Sequence, residues 1–176
     1  MPFCVIVLVM NNSQNFAVGQ KVVYPSQGVG VIRAIEEKPF NGAQVAYYII
    51  HIEASDMTIM APVEKAGELG IRCTVGEDEA MEALTMIGEE FEPNPSDWKL
   101  RYQMNLDLLK KGSIHSIAKI VRSLYHRSKI KELPIMEKKL CDSAQNLFKE
   151  ELSIALNKSK KEIEAMIHAR LEAQEE

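Results

Sequence analysis

Tryptophan is almost missing from this sequence: Trp98 is the only one in 176 residues, and aromatic residues together make up 6%. Cysteine is scarce too. Cys4, Cys73 and Cys141 stand far apart, with no CxxC pair. An odd number in no paired spacing excludes a disulfide framework and a zinc ribbon, and points to a reducing cytoplasm. There is no glycine-rich phosphate loop, no GxSxG elbow and no HExxH pair, so the usual nucleotide-binding, serine-hydrolase and zinc-protease signatures are absent. The four histidines, His51, His115, His126 and His168, are scattered and each sits alone in its local pattern. The acid pairs Glu36-Glu37 and Glu89-Glu90 are sequence neighbours, and neighbours on a helix do not face each other. Neither an enzyme, a metal site nor a cofactor is expected.

The apolar start, Met1 to Met10, has about half the length that spans a bilayer. It also lacks the basic n-region and small-residue cleavage site of a signal peptide. No membrane association is expected. Met10 precedes the polar run Asn11-Asn12-Ser13-Gln14-Asn15, which makes Met10 a candidate working start and residues 1–15 an N-terminal extension that need not be native.

What the chain does have is 46% apolar residues, enough for a core, and 26% charged residues that are strongly segregated. Residues 1–96 hold five Lys and Arg against thirteen Asp and Glu. Residues 97–140 reverse this, with eleven basic residues against four acidic ones. A basic block inside a chain of net charge -4 is either a solvated helix face or a surface for phosphates.

The first half reads as short strands with tight turns. Lys21–Tyr24, Gly28–Ile35, Gln44–Glu53 and Met57–Ala61 are the strand candidates, with bend signals at Gly28 and Gly30 and a hairpin signal at Asn41-Gly42. Tyr48, Ile50 and Ile52 alternate with Tyr47, Ile49 and His51, which gives one apolar face. These features predict a small SH3-like or Tudor-like barrel over residues 16–73, of the kind that binds partners by a strand edge or a groove. Residues 74–95 read as an acidic helix, striped by Met81, Leu84 and Ile87, and a proline-rich linker.

Residues 96–176 read as helices, so the predicted class is α+β with an all-α C-terminal domain. Ile114, Ile117, Ala118, Val121 and Tyr125 form a clean amphipathic stripe. Met136, Leu140, Ala144, Leu147 and Phe148 make the next. Ser159-Lys160-Lys161-Glu162 is a capping box for a last helix on Ile163, Met166 and Ile167. For the helix after Pro95, Asn94 or Ser96 is a candidate cap, and Leu100, Met104 and Leu108 a candidate inward stripe. Trp98 points away from that stripe, but a second flank of Tyr102, Leu106 and Leu109 can include it. Periodicity therefore leaves Trp98 as either an interdomain plug or a partner contact, and local chemistry leans towards the plug.

The order of residues Phe16-Ala17-Val18-Gly19-Gln20-Lys21-Val22-Val23-Tyr24-Pro25, then Gly28-Val29-Gly30, resembles the opening of the CarD/CdnL family of bacterial transcription regulators. Asp56-Met57-Thr58 through Pro62, Leu69-Gly70-Ile71-Arg72, the Trp98-x-x-Arg101-Tyr102 cluster, Asn105, Gly112 and Ala118-Lys119-Ile120-Val121-Arg122 continue it. The resemblance covers about residues 16 to 160. It implies a Tudor-like domain that docks on the RNA polymerase β subunit, with Lys38, Phe40, Ile59 and Met60 on the docking strands. It also implies a helical domain that contacts promoter DNA at the upstream edge of the melted region and stabilises the open complex. There Trp98 is the minor-groove wedge, Arg101 contacts the DNA backbone, Lys138 is a further DNA contact, and Lys99, Lys119, Arg122 and Arg127 follow from the charge pattern. Met60, Leu100 and Gln103 stand where some relatives carry basic residues, which implies weaker contacts at those points. A monomer is expected. The competing reading is a protein–protein adaptor whose helical half touches no DNA.

Overall fold

A computed structural model describes residues 15–90 and 95–173. The expected N-terminal extension thus lies almost wholly outside the described residues, as do Pro93 and Asn94 of the linker. Five antiparallel strands come first: β1 (Lys21–Tyr24), β2 (Gly28–Phe40), β3 (Ala43–Ile52), β4 (Met57–Pro62) and β5 (Arg72–Cys73), in spatial order β4-β3-β2-β1-β5. Helices α1 (Glu77–Met86), α2 (Trp98–Lys111), α3 (Ile114–Ile130), α4 (Ile135–Ala155) and α5 (Lys160–Glu172) follow. This is the expected α+β architecture, a Tudor-like β module ahead of a helical one.

The β2–β3 hairpin turns at Asn41-Gly42, where φ is 51° and 81°. Positive φ at both positions is what a two-residue turn between twisted strands requires. β2 is one strand of 13 residues, longer than the sequence pattern predicts. Its irregularity falls at Arg33, where the register with β3 shifts between Ile32 and Ala34, and not at the glycines. Gly30 has a packing role instead: a Cβ there would lie 2.7 Å from Ile50 Cγ2 and from Ile52 Cδ1. Those two side chains, with Tyr48, Val22, Ile32, Ala61 and Ile71, fill the barrel core. Phe16 closes it, packing on the Tyr48 ring at 5.5 Å and donating its backbone N–H to the Tyr48 hydroxyl at 3.1 Å.

The helical core is built on the α3 stripe predicted from periodicity: Ile114, Ile117, Ala118 and Val121 are fully buried. α4 contributes Leu140, Ala144, Leu147 and Phe148, and α5 contributes Ile163, Ile167 and Leu171. Two expected stripes differ. On α1 the inward line is Ala80, Ala83 and Leu84, continued by Ile87 at the cap, with Met81 exposed. On α4, Met136 is exposed although its neighbour Glu137 is fully buried, so the covered side of the first turn is the one that carries Glu137. α1 belongs to the helical core, so the acidic segment is more than a spacer.

The two modules share a packed seam. Val23 and Val29 of the sheet lie in the helical core, not the barrel core. Arg72 of β5 donates to both carboxylate oxygens of Glu151 on α4, at 2.8 Å for the Nη2–Oε2 bond, and through Nε to the Gly112 carbonyl. Glu151 is fully buried and also accepts the Val75 N–H at 3.1 Å. Gly112, the left-handed cap that ends α2, sits so close to Pro25 that a Cβ would lie 2.6 Å from its ring. Among the described residues, no helix is long and apolar enough to cross a membrane.

Candidate nucleic-acid interface

The start of α2 is fixed by its own chemistry. Asp97, rather than Asn94 or Ser96, is the cap: its backbone is extended and its carboxylate accepts the Lys99 N–H at 2.9 Å. A carboxylate there also meets the positive end of the helix dipole. Trp98 is the first helical residue and is 39% exposed, with the Lys99 ammonium 6.0 Å from its ring. At roughly 100° per residue it shares the azimuth of Asn105 and Leu109, both buried. It is left half exposed because it stands at the end of the helix, where fewer neighbours cover that face. Trp98 thus presents much of its ring to solvent at the helix start.

The rest of α2 departs from expectation. Leu100 and Met104, the predicted inward stripe, are 53% and 46% exposed. Arg101 and Asn105 face inward instead. Arg101 is 2% exposed, and its Nε and Nη2 each donate to a carboxylate oxygen of Glu137 at 2.7 Å. Its Nη1 donates to the Pro95 carbonyl at 2.8 Å and, at 3.4 Å, to that of Ser96. The expected backbone contact by Arg101 is thus not available in this arrangement: its donors are consumed inside the protein. Glu137, also fully buried, gave no sequence signal beyond being one of the few acids in the basic block.

The pair joins the first turn of α2 to the first turn of α4, which follows α3 after a short turn. Trp98, Lys99, Arg127, Lys131, Lys138 and Lys139 accordingly belong to one end of the molecule. Lys99, Lys131, Lys138 and Lys139 are exposed there, and Arg127 is half buried. Ile130, Ile135 and Met136 are exposed on the same end. Lys119 is exposed but lies roughly 17 Å back along α3 at 1.5 Å per residue. Arg122 serves α1: its side chain is mostly buried and donates to the Met86 carbonyl at the end of that helix, beside Glu89. The basic residues predicted as one face are therefore divided between one exposed end, an exposed position farther back on α3 at Lys119, and the internal contacts of Arg101 and Arg122.

On the β module, Phe40 is 58% and Met60 47% exposed. Lys38, partly exposed, reaches across β3 so that its Nζ lies 3.3 Å from the Met60 sulfur, and it pairs with Glu36. Ile59 differs from these three. It pairs in register with buried Ile50 and packs on the barrel core, leaving its side chain only partly exposed. β4 is an edge strand of the sheet, bordered by β3 alone among the described strands. Among the described residues no group of three or more His, Cys, Asp or Glu could hold a metal ion.

Residues 16–73 match the family described as CarD-like/TRCF RID domain, and residues 82–168 match the CarD C-terminal domain. A Bacillus subtilis (strain 168) protein named "Putative transcription factor YdeB" is 36% identical over 154 residues, covering 85% of this chain and 98% of that protein. Both modules and their order match a type of transcription factor rather than a class of enzyme, and on these grounds the chain belongs to the CarD family.

Proposed function

We propose that this protein acts at transcription initiation, docking on the RNA polymerase β subunit through its β module and pressing Trp98 against promoter DNA at the upstream edge of the melted region. The observation that carries this reading is Trp98, a flat apolar side chain held half exposed at a capped helix start, on an end of the molecule rich in exposed lysines. The lysines supply affinity for phosphates without sequence choice. An apolar wedge works best where a base step is already opening, because unstacking costs on the order of a few kcal/mol. Residues 16–73 are the polymerase-binding part and residues 96–176 the DNA-contacting part, with Lys99, Arg127 and Lys138 nearest the wedge. The relation to the CarD-like/TRCF RID domain supports the polymerase half. So do exposed Met60 on the edge strand β4 and exposed Phe40 at the tip of the β2–β3 hairpin, since an unpaired edge is suited to strand addition. A cytoplasmic monomer suffices for this role, and no catalytic step is needed: a shift of about 1.4 kcal/mol changes a two-state equilibrium tenfold.

The test is the lifetime of promoter open complexes with the full-length protein. Stacking of an aromatic ring on a base is worth about 1–3 kcal/mol, so Trp98→Ala should shorten the lifetime by roughly 5- to 150-fold relative to wild type while polymerase binding is kept. An unchanged lifetime removes the wedge, and salt-insensitive or absent binding to fork-junction DNA favours the adaptor.

A further inference from the structure

Arg101 was expected at the DNA and is found inside the protein, which raises the question of what a buried, fully engaged guanidinium does one turn after the wedge. Its two-pronged bond to Glu137 is bidentate, the geometry that fixes orientation as well as distance. Its remaining nitrogen holds the Pro95 and Ser96 carbonyls, the backbone just ahead of Trp98. One side chain therefore ties the chain entering α2, the first turn of α2 and the first turn of α4 to each other. Such a pair is a poor way to gain stability, since apolar residues of similar volume often do as well or better. It does impose one geometry on the segment that carries Trp98. Burial has a second effect: Glu137 neutralises Arg101 out of sight of solvent, so the exposed end keeps the charge of Lys99, Lys138 and Lys139 undiminished.

We propose that Arg101 and Glu137 are a positioning pair that fixes the orientation of Trp98, and that neither touches the nucleic acid. The proposal rests on the reading of Trp98 as the DNA wedge, and names what aims it. A wedge that swings freely loses affinity to the cost of being ordered on binding, so the pair pre-organises the contact.

Trp98 is the only tryptophan, so its fluorescence reports on the pair directly in the full-length protein. The informative variant is the double replacement Arg101→Leu with Glu137→Leu, which keeps the site filled and removes the hold on Pro95 and Ser96. It is expected to melt cooperatively near the wild-type temperature, to bind polymerase as before, and to raise acrylamide quenching of Trp98 at least twofold. The open-complex lifetime should fall to that of Trp98→Ala. Glu137→Gln, which keeps the shape and weakens the pair, should fall between the two and serves in place of the double variant if that variant does not fold. Wild-type quenching in a folded variant overturns the proposal. So does raised quenching with a wild-type lifetime where Trp98→Ala shortens it. If Trp98→Ala itself has no effect, the wedge reading fails, and the quenching result still decides whether the pair positions the ring.

Discussion

Charged residues in the basic block divide into those that face solvent and those whose charge is spent internally. Arg101 and Arg122 are of the second kind, held by Glu137 and by the Met86 carbonyl. A charge count sees eleven basic residues; a partner surface sees fewer. The same difference between kind and placement separates the cysteines. Burial, with the neighbouring Asp142 carboxylate, pushes the Cys141 thiol up to about 11, whereas Cys73 is exposed. At pH 8 that leaves roughly one Cys141 in a thousand as the reactive thiolate. Iodoacetamide should therefore label Cys73 at least about a hundredfold faster than Cys141, by peptide mass spectrometry, until urea unfolds the chain. Comparable native-state rates would show that α4 opens more readily than its packing implies.

Helix ends carry much of the local design. Ser113 caps α3 through the Ser116 N–H, and Gly112 ends α2 in the left-handed conformation, so two helices meet across a two-residue corner. At α5 the capping box read from sequence is present: the Ser159 hydroxyl accepts the Glu162 N–H, and the Glu162 carboxylate accepts from the Ser159 hydroxyl and backbone N–H. These bonds, the hydroxyl's first, hold the Glu162 carboxyl below its ordinary value of 4.5. Because folding lowers it, the associated stabilisation is present above the ordinary carboxylate range and is lost as pH falls through the lowered value. In Ser159→Ala the Glu162 carboxyl should titrate closer to 4.5 than in wild type, by NMR, since the hydroxyl bond is gone and the backbone bond remains. An unaltered titration would mean the box does not form in solution.

For the molecule as a whole, the seam between the modules matters most. The Arg72–Glu151 pair, the fit of Gly112 on Pro25, and the placement of Val23 and Val29 in the helical core make the β and α halves interdependent. A fixed offset between the β module and Trp98 follows; under the proposed function, tethering by the first sets the effective concentration of the second. Glu151→Ala leaves Arg72 unpaired in the seam. Breaking a buried pair typically costs about 3–5 kcal/mol, and each kcal/mol lowers the melting temperature of a chain this size by about 2–4 °C. Calorimetry should accordingly show a drop of roughly 6–20 °C. A drop within about 2 °C would mean that the modules fold independently. An isolated 16–73 fragment is expected to be less soluble than the barrel core suggests, because Val23 and Val29 lose their cover.

Much of this was legible in the sequence, for reasons that are local. The Asn41-Gly42 turn, the alternation along β3, the α3 stripe and the Ser159 box depend on residues near each other in the chain, and the order of motifs identified the family. The inward turn of Arg101 and Asn105 was not legible, because nothing in α2 alone opposes burying Leu100 and Met104. It takes Glu137, 36 residues away, to make an inward arginine favourable. Glu151 is likewise defined by Arg72, 79 residues distant. The sequence by itself determined which segments become strands and helices and that one tryptophan stands at a helix start beside basic residues. Only the tertiary structure decided which charges face solvent, since a buried ion needs a partner whose position no local pattern encodes.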